Sequence, residues 1–268
     1  MSNKKKFSQP QVDSNTVTEL SQKLFEANAK LKQTELERKQ MLENISHDLR
    51  APLTAIRSTV DYLKQKSSGD HVDMSIEEAK SMLKLLDGRV RTLEIMIQDL
   101  YYLTCIESGR EELKLQDIPI SQFLEEYFFS AQVDEKYDKR NLILEVPDDF
   151  DKLVRIDVDK MSRVLDNFFT NAYKYSDDGA EIALGVEESS GKVRFYVRDT
   201  GRGIPEEAIP HVFDRTYRVS GARTPTEVQG SGLGLSIVKS IVEQHNGRVW
   251  CESKFGEGSC FIVELPLA

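Results

Sequence analysis

No apolar run in this chain approaches the roughly 18 residues that a membrane-crossing helix needs. The basic start, Met1 to Phe7, leads into no apolar core, which excludes a signal peptide. Cysteine is scarce. Cys105, Cys251 and Cys260 are the three, and no two of them form a CxxC pair. An odd, scattered set argues against a disulfide framework or a zinc site and suits a reducing cytoplasm. An excess of basic charge is missing too. With 36 Lys and Arg against 45 Asp and Glu, the formal net charge is −9. That argues against nucleic acid as the main partner, because a phosphate backbone calls for basic patches. Internal repeats are absent. So are the G-x-x-x-x-G-K-[ST] P-loop and the protein-kinase motif set, so any nucleotide needs another cradle.

What remains is 39% hydrophobic and 30% charged, enough apolar material for a core and enough charge for long exposed helices. Residues 1–15 are polar and contain Pro10, and are read as a disordered leader. Over 16–40, Val17, Leu20, Leu24, Ala27 and Leu31 recur every three or four residues, the seam of a coiled-coil helix. The seam continues through Met41, Ile45, Leu49, Leu53, Ile56, Val60 and Leu63. Residues 67–74 form a turn. A second stripe then runs from Ile76 through Leu83, Leu86, Val90, Leu93, Ile97 and Leu100 to Leu103. Two long stripes joined by a turn make a helical hairpin over 41–108. One hairpin leaves its stripe half covered, so two are expected to pair into a dimeric four-helix bundle.

The chain changes character near Ser108-Gly109. Residues 109–118 read as a linker, and 119–268 as an α+β layer with helices over a mixed sheet. Helices are expected at 119–136, opened by Pro119, at 159–175 and at 231–245. Strands are expected near 142–146 and 154–158, in a hairpin of 180–187 and 192–199 turning at Ser190-Gly191, and twice within 247–265. Residues 205–230 hold no periodic run, and so long a loop in a compact domain is usually functional.

Four blocks carry chemistry. His47 stands in Asn44-Ile45-Ser46-His47-Asp48-Leu49-Arg50-Ala51-Pro52-Leu53-Thr54. On a helix, Ile45 and Leu49 each lie about 200° from His47, so His47 faces water when they face a core. An imidazole partly neutral near pH 7 is a competent nucleophile, and Asp48 can accept its proton. Pro52 removes a backbone hydrogen bond and should bend or loosen the helix beside it. In the second block Asn167, Asn171, Lys174 and Tyr175 fall at i, i+4, i+7 and i+8, on one face of a helix. Two amides, a lysine and a phenol suit a Mg²⁺-polyphosphate: an Asn carbonyl can join the waters that Mg²⁺ keeps, and Lys174 can offset phosphate charge. The third block, Asp199-Thr200-Gly201-Arg202-Gly203-Ile204-Pro205, follows a strand. Its glycines let backbone approach a ligand, and the Asp199 carboxylate can accept from the exocyclic amine of adenine. In the fourth, Gly230-Ser231-Gly232-Leu233-Gly234-Leu235 opens a helix whose amides can hold phosphate.

Taken in order, these blocks resemble the H-box, N-box, G1 box and G2 box of sensor histidine kinases, and Val212-Phe213-Asp214-Arg215-Thr216-Tyr217-Arg218-Val219 resembles their F-box. The likeness spans about residues 40–266. It implies a dimerisation and phosphotransfer hairpin at 41–108 followed by an α+β sandwich of the Bergerat ATP-binding type, shared with certain chaperones and topoisomerases. It implies ATP and Mg²⁺ as cofactors, His47 as phosphoacceptor with Asp48 beside it, and Asn171 as the Mg²⁺ ligand. The nucleotide would be held by Asn167, Asn171, Lys174, Tyr175, Asp199, Gly201, Gly203, Ile204, Phe213, Arg215, Arg218, Gly230, Gly232, Leu233 and Gly234. Arg223 also lies in the lid, ranked with Arg215 and Arg218 below Lys174. The implied partners are a second copy of the chain and the receiver domain of a response regulator, whose aspartate takes the phosphoryl group. The implied place is the cytoplasm, as the soluble part of a membrane sensor or without one. Two departures stand out. Ala51 replaces the Thr or Asn thought to position water for dephosphorylating the partner, which removes a polar group from that task. Thr216 replaces the usual aromatic residue of the lid. Two rivals stay open here. An ATPase of the same fold leaves the His47 block unexplained. A silent scaffold leaves Asn171, Asp199 and Gly232-Leu233-Gly234 unexplained.

Overall fold

The structure is a computed structural model and describes residues 14–67, 74–107, 112–215, 217 and 232–268. The leader, most of the turn at 67–74, the Ser108-Gly109 junction and most of 216–231 lie outside the described residues. The chain divides into two units, Met1–His47 and Asp48–Ala268. A single helix, α1 (Ser14–Ser67), spans the division and runs through Pro52 without a break.

In the first unit Leu24 and Leu31 of the seam are exposed, as are Phe25, Leu36 and Leu42 beside it, while Ile45 is buried. In the second unit α1 ends at Ser67 and α2 covers Ile76–Glu107. Ser75 accepts from the Glu78 amide, and the Glu78 carboxylate accepts from the Ser75 amide, a reciprocal cap that starts α2. The α2 stripe splits. Ile76, Leu83, Val90 and Ile97 are exposed, whereas Met96, Asp99, Tyr102 and Leu103 are buried. This buried end packs on the α+β layer: α2 lies against α5, and Asp99 pairs with Arg163 at 2.6 Å. Lys160 and Arg163 each sit 4.4 Å from the centre of the Tyr102 ring.

The layer itself holds β1 (Gln116–Pro119), α3 (Ile120–Gln132), β2 (Asn141–Glu145), β3 (Leu153–Ile156), α4 (Val158–Lys174), β4 (Glu181–Ser189), β5 (Lys192–Asp199), α5 (Gly234–Gln244), β6 (Arg248–Lys254) and β7 (Gly258–Pro266). Five strands form a mixed sheet in the order β2-β4-β5-β7-β6, with β2 parallel to β4 and the other pairs antiparallel. β1 pairs with β3 in a separate two-stranded ribbon, so Gln116–Ile118, read as linker, already belong to the folded layer. Pro119 caps α3 rather than opening it, and a short 3₁₀ turn follows at Glu135–Tyr137. A second 3₁₀ turn, Glu206–His211, occupies the start of the stretch read as structureless.

Alternation sets the faces. Val193, Phe195, Val197 and Asp199 of β5 are buried toward the helices, and Phe168 of α4 stacks on Phe261 of β7 with centroids 5.2 Å apart. Arg194 and Arg198, at the alternate positions, pair instead with Glu264 and Glu145. α4 buries Met161, Val164, Leu165, Phe168, Phe169 and Ala172 on one face. At about 1.5–3 kcal/mol for each large apolar side chain, that face anchors the helix whose other side carries the amides. Asp157 caps α4 by accepting from the Lys160 amide, and its second oxygen accepts from the Lys114 amide. The Asp157 amide in turn donates to Nε2 of buried His245, which therefore carries its proton on Nδ1 and donates it to the Ile241 carbonyl.

Candidate active site

The histidine block lies mid-helix. Ile45 is buried, Leu49 is half-buried and His47 is exposed, the placement that the 100° periodicity requires. Asp48 follows directly on α1, and the methyl of Ala51 is exposed. Pro52 is buried, and Thr54 turns its hydroxyl back to the Arg50 carbonyl at 2.8 Å.

The second, third and fourth sequence blocks converge on the polar side of α4. At one end, the Asn167 amide donates to the Arg163 carbonyl at 2.8 Å, and its carbonyl oxygen fills the space where a side chain at Gly234 would start. Only glycine allows α5 to begin so close to that amide. The N-cap Leu233 makes no side-chain cap hydrogen bond among the described residues, and a helix N-terminus of this kind suits an anion. Gly232 and buried Leu233 lead into it, and Ser236 donates to the Leu233 carbonyl.

At the other end, Tyr175 caps α4 with its amide donating to the Asn171 carbonyl. A side chain on Gly201 would run into the Tyr175 carbonyl and the Asp199 carboxylate. Absence of that side chain lets the Asp199–Ile204 loop lie against the end of α4. Asp199 is buried at the end of β5, and one oxygen accepts from the Gly201 amide at 2.9 Å. Burial pushes its pKa up to about 6, against the pull of amides from Gly201 and Ser259. Amides, lysine and phenol thus lie between a helix N-terminus and a buried carboxylate. That order can receive the phosphates of a nucleotide at one end and an amine-bearing base at the other.

Three positioning residues were not read from sequence. The Arg140 side chain is 7% exposed and donates to the carbonyls of Tyr173 and Ser176, the Ser176 hydroxyl and Asp178. It closes the C-terminal end of α4 just where Lys174 and Tyr175 lie. Ser253 accepts from the Ile204 amide at 2.8 Å and holds Gly203-Ile204 against the β6–β7 turn. Thr200 exchanges backbone and hydroxyl bonds with Glu181. None of the three carries a local signal, because the partners that give them these roles lie 19 to 49 residues away.

Of the lid, Phe213 meets Phe261 edge-on at 6.3 Å and Arg215 is exposed. Arg218, Arg223 and Gly230 lie outside the described residues, as does Thr216. Among the described residues no group of three His, Cys, Asp or Glu could hold a metal. The polar face of α4 offers the Asn171 side-chain amide and the Lys174 ammonium, a donor set that fits an ion carried on phosphates and touched by one amide.

Comparison with known proteins matches both parts of the chain to family models. Residues 37–109 match the family model described as His Kinase A (phospho-acceptor) domain, and residues 156–268 match that of the Histidine kinase-, DNA gyrase B-, and HSP90-like ATPase. The Sensor protein kinase WalK of Staphylococcus saprophyticus is 33% identical over 236 residues, covering 87% of this chain and 37% of that protein. The protein of that name from Staphylococcus epidermidis is 32% identical with the same coverage. The chain thus spans little more than a third of the length of these relatives. Among solved structures, Acinetobacter baumannii histidine kinase AdeS superposes with a TM-score of 0.63 at 21% identity, over 82% of this chain and 98% of that one. Histidine kinase ThkA, in complex with response regulator protein TrrA, gives 0.60 at 23% identity, over 91% and 66%. At such identities the likeness is one of fold.

Proposed function

The chain belongs to the sensor histidine kinases, and on that premise we propose that it transfers the γ-phosphoryl group of ATP to His47 and passes it on to an aspartate of a response regulator. The observation that carries this reading is the exposed His47 of α1 in the same chain as a nucleotide cradle built on Asn167, Asn171, Lys174 and Asp199. Asn171 would hold Mg²⁺ through its side-chain carbonyl, and the ion supplies charge neutralisation of the triphosphate when bound. Lys174 adds a point charge beside it. Asp199 reads the adenine amine. A neutral ring nitrogen of His47 attacks the γ-phosphorus, the bond to the bridging oxygen breaks, and ADP leaves with the electron pair. The ring's other nitrogen then loses its proton to Asp48. Catalysis comes chiefly from positioning and electrostatics.

The exposed apolar stripes of α1 and α2 support a homodimer. A response regulator stands bound to a protein of this fold in the ThkA complex, which supports the same class of partner here. Ala51 weakens any phosphatase activity, because its methyl cannot orient water. The α1 segment before the histidine would carry a signal by changing helix register or tilt. The chain works on the cytoplasmic side, as part of a longer sensor of the WalK kind.

Asn171→Ala tests the site. Binding of Mg-ATP should weaken by tenfold or more with autophosphorylation lost, while the far-ultraviolet circular dichroism stays that of the wild type. Unchanged nucleotide affinity would remove Asn171 from the site.

A further inference from the structure

Arg202 stands inside the third sequence block, yet none of the roles assigned above uses it. Its backbone is fixed from both sides. Its amide donates to the Tyr175 carbonyl at 3.0 Å, and its own carbonyl accepts from the Gly256 amide at 2.8 Å. The neighbouring Ile204 amide is tied to Ser253. The side chain therefore leaves a pinned Cα, and its guanidinium lies 4.4 Å from the centre of the Tyr175 ring. Tyr175 itself is 42% exposed, so core packing does not fix its ring. A cation over the ring face does.

We infer that Arg202 is a positioning residue for nucleotide binding, holding the Tyr175 ring in place beside the cradle before the nucleotide arrives. The inference rests on the nucleotide reading of the α4 face. A ring already oriented loses little rotamer freedom when a ligand meets it, so affinity rises without a new ligand contact. The arrangement also joins two parts of the site mechanically. The loop that carries Asp199 reaches the end of α4 through the backbone, by the Arg202 amide, and through the side chain, by the stacked guanidinium. A nucleotide gripped by Asp199 and Tyr175 thus meets groups that move as one.

The test is the dissociation constant for Mg-ATP, measured by calorimetry on the whole chain and on Arg202→Ala, Arg202→Gln, Arg202→Lys, Tyr175→Leu and the double variant Arg202→Ala/Tyr175→Leu. Arg202→Ala and Arg202→Gln should each weaken binding about three- to fivefold. Arg202→Lys, which keeps a cation for the ring, should recover most of that loss. The double variant should bind no more weakly than Tyr175→Leu alone, because Arg202 acts only through the ring. Losses that multiply in the double variant would overturn the inference, as would wild-type affinity in both Arg202→Ala and Arg202→Gln. Arg202→Gln keeps most of the aliphatic stem and the backbone bonds, so it answers even if Arg202→Ala fails to fold. A wild-type chain that does not bind Mg-ATP would instead sink the nucleotide reading, and this inference with it.

Discussion

Asp199 is a buried carboxylate, proposed here to recognise the adenine amine, and its burial has a measurable consequence. Its folded pKa, about 6, lies above the ordinary carboxylate value near 3.9. Between those values the folded protein holds a proton that the unfolded chain releases. This group therefore favours folding at low pH, and that contribution is lost as pH rises through about 6. The ionised form is the better acceptor for the adenine amine, so nucleotide binding runs the other way. Affinity for Mg-ATP should fall several-fold between pH 7 and pH 5 in the wild type. Asp199→Asn should bind weakly at both and lose the part of the pH dependence that belongs to this group. Equal profiles for the two proteins would show that Asp199 does not titrate at the site. Residues of this kind were legible in sequence because their neighbours spell the environment: a strand, then a carboxylate, then glycines. Arg140 and Ser253 were not, since their roles exist only once β2, α4 and β6 have come together.

Elements were legible where a period or a turn was strong. The α4 amides fall on one face because Val164, Leu165, Phe168 and Ala172 claim the other. The β4–β5 hairpin turns at Ser190-Gly191, where both residues take positive φ, 54° and 72°. β1 escaped because four residues paired with a distant strand leave no pattern of their own. The end of α4 shows how such long-range partners matter. Arg140 satisfies two carbonyls there and complements the negative end of the helix. Replacing it with Met leaves buried acceptors without a donor. Arg140→Met should lower unfolding stability by about 2–4 kcal/mol in a denaturant titration, and weaken Mg-ATP binding through Lys174 and Tyr175. A change under about 0.5 kcal/mol would mean that water replaces the guanidinium at no cost.

At the scale of the whole molecule, the long helices bury too little of their own apolar surface. Leu83, Val90 and Ile97 of α2 stay exposed, and a second copy is the simplest cover. Sedimentation should give twice the chain mass. Leu83→Glu combined with Val90→Glu should shift the population toward monomer, whereas a monomeric wild type would leave the stripes for another partner. The same α2 that exposes this stripe buries Leu103 and Tyr102 toward its own ATP-binding layer, a division of faces that periodicity alone did not reveal. His47 and the proposed nucleotide cradle reside in one chain, and the proposed phosphotransfer between them is tested most directly by incubating it with Mg²⁺ and γ-labelled ATP beside a His47→Gln variant. Acid-labile, alkali-stable label on the wild type and none on His47→Gln is the expected result. Equal label on both proteins, or ATP consumed with neither labelled, would contradict phosphotransfer to His47.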